Sequence, residues 1–137
     1  NAQYLPQERD EFNLGGRVKA EIEEFVQKVA QTEPWLQKNP PCIEWLVDAD
    51  CAETPAEHPF VTTTVQAVKT LGREAKLQGL SCHTDMGWFI NSGIATVNLG
   101  PGNGAVAHQN NEYVLAQDLL DAARAYALII ADWCGVS

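Results

Sequence analysis

The stretch LGPGNGAVAHQNNEYV, residues 99–114, holds three glycines, a proline and three asparagines. No regular helix or strand favours that composition, because glycine is entropically costly in either and proline lacks the backbone donor. The segment is therefore a long irregular loop. It separates an apolar run ending at Leu99 from an amphipathic stretch beginning near Leu115, so any fold must bring both apolar elements to the two ends of one costly connection.

The flanking sequence supplies the elements. Val18, Ile22, Phe25, Val26 and Val29 recur at helical spacing, with Lys19, Glu21, Glu23, Glu24 and Lys28 on the other face. That helix is expected to stop near Thr32, because Pro34 disfavours helix at Glu33. A second helix starts near Pro59, carries Val61, Val65, Val68 and Leu71, and ends by Gly72. A third places Leu115, Leu119, Ala122, Ala123, Tyr126, Ile129, Ile130 and Trp133 inward and ends near Cys134. NAQYL (1–5), CIEWLVD (42–48), part of LQGLSCHTD (77–85) and GIATVNLG (93–100) read as strands. Helices between strands predict an α/β or α+β fold. The proline-bearing ADCAETPAEHP, residues 49–59, is the candidate domain boundary.

Bulk properties exclude several functions. A chain of 137 residues can bury the core of one ordinary domain. A net charge of −9, spread along the chain, leaves no basic stripe for nucleic acid. No apolar run reaches the roughly 18 residues of a membrane span. No signal peptide is visible at the start. Cys42, Cys51, Cys82 and Cys134 form no C-x-x-C pair, so reduced thiols packed as small core residues and a cytoplasmic location are expected.

The chemistry-bearing residues are few. His58, before Pro59, reads as a surface or capping residue. His83 and Asp85 form an H-x-D pair, a spacing that could hold a metal, but packing at the strand end or a substrate-side contact is the expected reading for His83. Glu23–Glu24 reads as a solvated helix face. His108 differs, because glycine-rich loops allow close backbone approach to a ligand and loop residues often carry function. Its setting fits a ligand or catalytic role and a plain loop residue equally. Asn103 offers an amide suited to a developing oxyanion. Glu112 either orients His108 or merely opens the last helix.

Gly100-Pro101-Gly102 followed by Ala107-His108 and Asn111-Glu112-Tyr113, with Thr84-Asp85 upstream, resembles the C-terminal end of one family. It is the zinc-dependent amidohydrolase and exopeptidase family of acetylornithine deacetylase, succinyl-diaminopimelate desuccinylase, aminoacylase and glutamate carboxypeptidase. The resemblance implies a three-layer α/β/α catalytic domain, its end formed by residues 51–137, and the second half of an α+β lid, or dimerisation domain, in residues 1–50. It implies that His108 is a terminal ligand to one of two divalent metal ions, zinc first, cobalt or manganese as substitutes. It places Asn103 near the substrate carbonyl and Thr84, Asp85 and Gly102 on the substrate side, with Glu112 behind His108. It implies a homodimer acting on a small N-acyl amino acid or peptide. The family's H-x-D ligands, bridging aspartate and general-base glutamate belong to an N-terminal half with no counterpart in these residues. The chain alone is therefore expected to be inactive and to hold no metal tightly. A non-catalytic, self-associating or partner-binding α/β module is the alternative, and an unrelated small α/β domain with a glycine-rich turn is the plainest reading.

Overall fold

The computed structural model describes residues 2–80 and 82–136. They divide into two units, one drawn from residues up to Glu53 with the stretch ending at Gly87, the other from Thr54–Leu80 and from Trp88 onward. Helices α1 (Gly16–Ala30) and α2 (Pro34–Lys38) belong to the first unit. Helices α3 (Pro59–Thr70) and α5 (Ala116–Cys134) belong to the second, and the division falls within α4 (Met86–Asn91). Among the described residues no helix is long and apolar enough to cross a membrane.

The expected α/β architecture is overturned. Among the described residues there is no strand, and so neither a three-layer α/β/α domain nor an α+β lid. Asn1 and Ser81, parts of two expected strands, lie outside the described residues. A strand exists only through a ladder of backbone partners, and here side chains take the positions a ladder would use. The Thr54 hydroxyl receives the N–H of Thr96 at 3.3 Å and donates to the Thr96 carbonyl at 2.6 Å. The Tyr126 hydroxyl donates to the Leu99 carbonyl at 2.7 Å. In residues 41–45 the alternation is present, with Ile43 and Trp45 half-buried and Cys42 and Glu44 exposed, but its partner is a helix.

In the first unit, α1 begins without help from its own N-cap, Gly15, which has no side chain to offer. Asp10 does the work from outside the helix. Its carboxylate accepts the N–H groups of Phe12 and Leu14 at 2.9 Å and of Gly16 at 3.0 Å. These bonds, that from Leu14 foremost, hold the Asp10 carboxyl below its ordinary pKa despite partial desolvation. Residues 41–49 then run antiparallel to α1. Gln27 Nε2 donates to the Pro41 carbonyl at 3.2 Å, Trp45 Nε1 to Glu23 at 2.6 Å, and Lys19 pairs with Asp48 at 2.5 Å. The Tyr4 hydroxyl closes the series on the Ala49 carbonyl at 2.6 Å. The helix ends at Ala30, and Pro34 opens α2, capped by the Glu33 carboxylate on the Leu36 N–H at 2.8 Å. Gly87 is buried against Asp50, whose carboxylate occupies the space a Cβ would need.

In the second unit, α3 packs on α5. Val61, Thr64 and Ala67 face Ala125 and Ile129, all of them buried. The buried Thr64 hydroxyl is satisfied by its own helix, donating to the Phe60 carbonyl at 2.8 Å. At one end Phe60 meets the Trp133 ring edge-on at 5.1 Å. Arg73, just past α3, binds Asp121 through Nε at 2.8 Å and Asp118 at 3.2 Å on α5. That pairing holds the Asp121 carboxyl below its ordinary pKa. His58 caps α3, its Nδ1 accepting the Phe60 N–H at 3.1 Å. The helix boundaries match the sequence reading, but the buried face does not. Ile129 is buried as expected, but Leu115, Leu119, Ala123, Tyr126, Ile130 and Trp133, also expected inward, are exposed, and Ala125, not among those expected, shares the packing with Ile129. The cysteines are free, and none is buried.

Two measurements check this account. His58→Ala removes the α3 cap and is expected to cost about 1 kcal/mol, read as a lowered midpoint in urea, whereas His58→Asp restores a cap acceptor. Because folding lowers the Asp10 pKa, its bonds stabilise the first unit above the ordinary carboxylate value of about 3.9 and are lost as pH falls through the depressed folded value. NMR shifts of residues 16–30 followed from pH 6 to pH 2 are expected to lose helicity at the acid end. Asp10→Asn, which cannot accept from Gly16, flattens that dependence.

Candidate functional site

The loop after Leu99 is built from local turns rather than from burial, and Val106 alone among residues 100–114 is half-buried, the others being exposed. Gly102 adopts φ 86°, and a Cβ there would lie 3.1 Å from Val114 Cγ2. Only glycine lets the two ends of the loop approach this closely. Asn103 caps the short 3-10 turn Gly104–Val106, its Oδ1 accepting the Ala105 N–H at 2.9 Å. The acceptor atom of the Asn103 amide is thereby used, and the Nδ2 donor faces no partner among the described residues.

His108 follows that turn in the left-handed region, at φ 62°, and Asn111 does the same at φ 67°. A left-handed residue with a Cβ costs roughly 1–2 kcal/mol, so something must hold it. The Glu112 carboxylate accepts the His108 backbone N–H at 2.9 Å. Gln109 adds a second tie, its Nε2 donating to the Ala105 carbonyl at 2.6 Å. The His108 imidazole is exposed and makes no hydrogen bond among the described residues. Between the loop ends lies an open cleft of about 320 Å³, its wall including Gly102, Asn103, Ala107, Glu112, Tyr113 and Val114. That is near the lower limit for a small-molecule site.

The structure thus brings Gly102, Asn103 and Glu112 to one cleft in the second unit, with His108 tied to Glu112 beside it. Thr84 and Asp85 belong to the first unit. There Thr84 Oγ1 lies 3.4 Å from the Met86 N–H, and Asp85 is exposed directly before α4. Val114 is a wall residue that sequence reasoning did not single out, and Tyr113, read only as part of the motif, is another. Their position next to Glu112, across from Gly102, was the available signal.

Among the described residues no three His, Cys, Asp or Glu side chains gather as a metal site. A catalytic metal needs about three protein donors and an open position. His108 offers one, so the residues present do not make a metal centre by themselves.

Comparison with known proteins places this loop in a family. Residues 16–132 match the model of peptidase family M20/M25/M40, and the chain belongs to that family of hydrolases, whose members are generally metal-dependent. The N-formyl-4-amino-5-aminomethyl-2-methylpyrimidine deformylase of Bacillus subtilis is 30% identical over 128 residues, 86% of this chain and 30% of that protein. The deformylase of the same name from Halalkalibacterium halodurans is 28% identical over 141 aligned positions, 96% of this chain and 32% of that protein. The chain spans about a third of the length of these curated relatives. No solved structure matches it.

Gly102→Ala tests the loop geometry. It forces a Cβ into the left-handed region and against Val114, and is expected to cost about 1–2 kcal/mol. The same change at Gly104, where a Cβ would meet open space, is expected to cost less. Thermal denaturation of the two variants makes the comparison.

Proposed function

We propose that these residues are the C-terminal part of a metal-dependent amidohydrolase that cleaves the N-acyl amide bond of a small substrate. Residues 1–50 belong to its lid or dimerisation domain and residues 51–137 to its catalytic domain. The observation that carries the reading is His108. It stands exposed, in a tied left-handed turn, beside a cleft that also presents Asn103. The family match supports hydrolysis, and the two deformylase relatives favour a formamide over the acetyl or succinyl amides of the acetylornithine and succinyl-diaminopimelate enzymes.

In this proposal His108 gives one imidazole donor to a divalent metal centre, zinc or a similar ion, whose other donors come from the rest of a longer protein. Asn103 is already oriented by its own turn, so its amide N–H₂ is the group left to donate to the substrate carbonyl oxygen. Its contribution grows as negative charge develops on that oxygen. Gly102, in the same cleft wall, lines the substrate side. Water and amide are consumed, and a carboxylate and an amine are released.

The test uses a protein of the relatives' full length. It is expected to hydrolyse N-formyl amines. His108→Ala should lose bound metal, measured as equivalents per chain. Asn103→Ala should keep its metal and lose about 10²-fold in kcat. Full metal retention in His108→Ala, or no cleavage of any N-acyl amide by the parent, overturns the reading.

A second reading has its own observation. Phe25 at 67%, Ile130 at 61% and Trp133 at 49% exposure leave apolar helix faces uncovered. A self-associating or partner-binding module, the homodimer of the family's lid included, accounts for them. Light scattering is expected to show association, and a monodisperse monomer refutes it.

A further inference from the structure

Glu112 does not touch the imidazole of His108. It binds the backbone of the same residue, at 2.9 Å through the N–H. The distinction matters because His108 is one of three non-glycine residues in the left-handed region among those described. An exposed loop residue with a Cβ leaves that region unless a bond opposes it. No packing opposes it here, since residues 107–112 are all exposed. A charge-assisted bond to a carboxylate is the strongest local restraint available.

We infer that Glu112 is a positioning residue, clamping the His108 main chain so that the imidazole is aimed by the backbone while both ring nitrogens stay free. Three features of the loop support it. The four-residue spacing lets the carboxylate return to the N–H without help from another element. Asn111, immediately before Glu112, is itself left-handed and turns the chain back, and the Glu112 N–H closes on the Gln109 carbonyl at 3.2 Å. The Gln109 side chain, bound to Ala105, holds the opposite side of the same turn. A carboxylate on the ring would have fixed a tautomer and occupied one nitrogen. A carboxylate on the backbone fixes direction and leaves the ring's chemistry open. The inference rests on the proposed role of His108 as a donor, and it assigns to Glu112 the reason that donor is held still.

The experiment has two arms. In the first, amide–water exchange of the 137-residue chain is followed by NMR for the parent, Glu112→Gln and Glu112→Ala, with α3 and α5 amides as the control for folding. Loss of a charge-assisted bond speeds His108 N–H exchange by about ten-fold in Glu112→Ala. Glu112→Gln, which keeps an acceptor oxygen at the same reach but loses its charge, falls between the parent and Glu112→Ala. In the second arm the same three versions of a full-length protein are titrated with zinc. Glu112→Ala is expected to weaken zinc about 10–100-fold, and Glu112→Gln to recover part of that loss. Unchanged His108 exchange in Glu112→Ala overturns the clamp, whatever the enzyme does. Faster exchange with zinc affinity intact overturns the positioning role. Intact zinc affinity in His108→Ala defeats the donor reading itself, and with it the purpose of the clamp, so the two failures are told apart.

Discussion

The packing of α3 on α5 is the contact on which the second unit depends. Its inner surface is made of small side chains, Ala67 and Ala125, with Val61 and Ile129 filling the space beside them. Small residues let the helix axes approach, and the Thr64 hydroxyl avoids a buried polar penalty by bonding within its own helix. The loop that carries His108 leads into α5 at Leu115 and is tied by its Leu99 end to the same helix. Its position is therefore a consequence of helix packing, although the loop itself buries almost nothing.

The first unit reaches order by another route. Its apolar burial is slight, with Ala30 the apolar side chain most fully covered. Polar anchors instead set the register of residues 41–49 along α1, at Pro41, Trp45, Asp48 and Ala49. Such bonds are individually weak when exposed, but they are directional, and directional contacts choose one register where an apolar surface would accept several. Asp10 belongs to the same economy, since it supplies the cap that a Gly15–Gly16 start cannot.

The three long helices, α1, α3 and α5, were legible because their signals are local, whereas the short α2 and α4 were not read. Pro59, Gly72 and Gly135 mark boundaries by their own backbone limits, and the apolar spacing of α1, α3 and α5 needs no partner to be read. The strands were not legible in the same sense. Composition and alternation in residues 42–48 and 93–100 describe side chains that suit a sheet, whereas a sheet is made by backbone partners far along the chain. In residues 94–99 those backbone groups meet Thr54 and Tyr126, and no sequence pattern announces that. The inward face of α5 was misjudged for a related reason. Periodicity finds an apolar arc on a helix, but which part of a wide arc is covered depends on what arrives to cover it. At the candidate site the pattern around His108 was readable as a motif, yet its physical basis was not. That Glu112 meets a backbone N–H follows from left-handed geometry at His108 and Asn111, which residue identity alone does not specify.

The bond from Tyr126 to the Leu99 carbonyl turns the loop into a ring closed through the first turns of α5. Insertions and deletions along α5 are then of two kinds. A residue gained or lost between Leu115 and Tyr126 rotates the hydroxyl by about 100° around the helix and carries it off the carbonyl. The same change beyond Ile129, toward Cys134, leaves both the ring and the buried contact with α3 intact and alters only the far end of the helix. Length variation over generations is thus expected to accumulate after Ile129, and the distance from Leu115 to Tyr126 acts as a ruler for the loop.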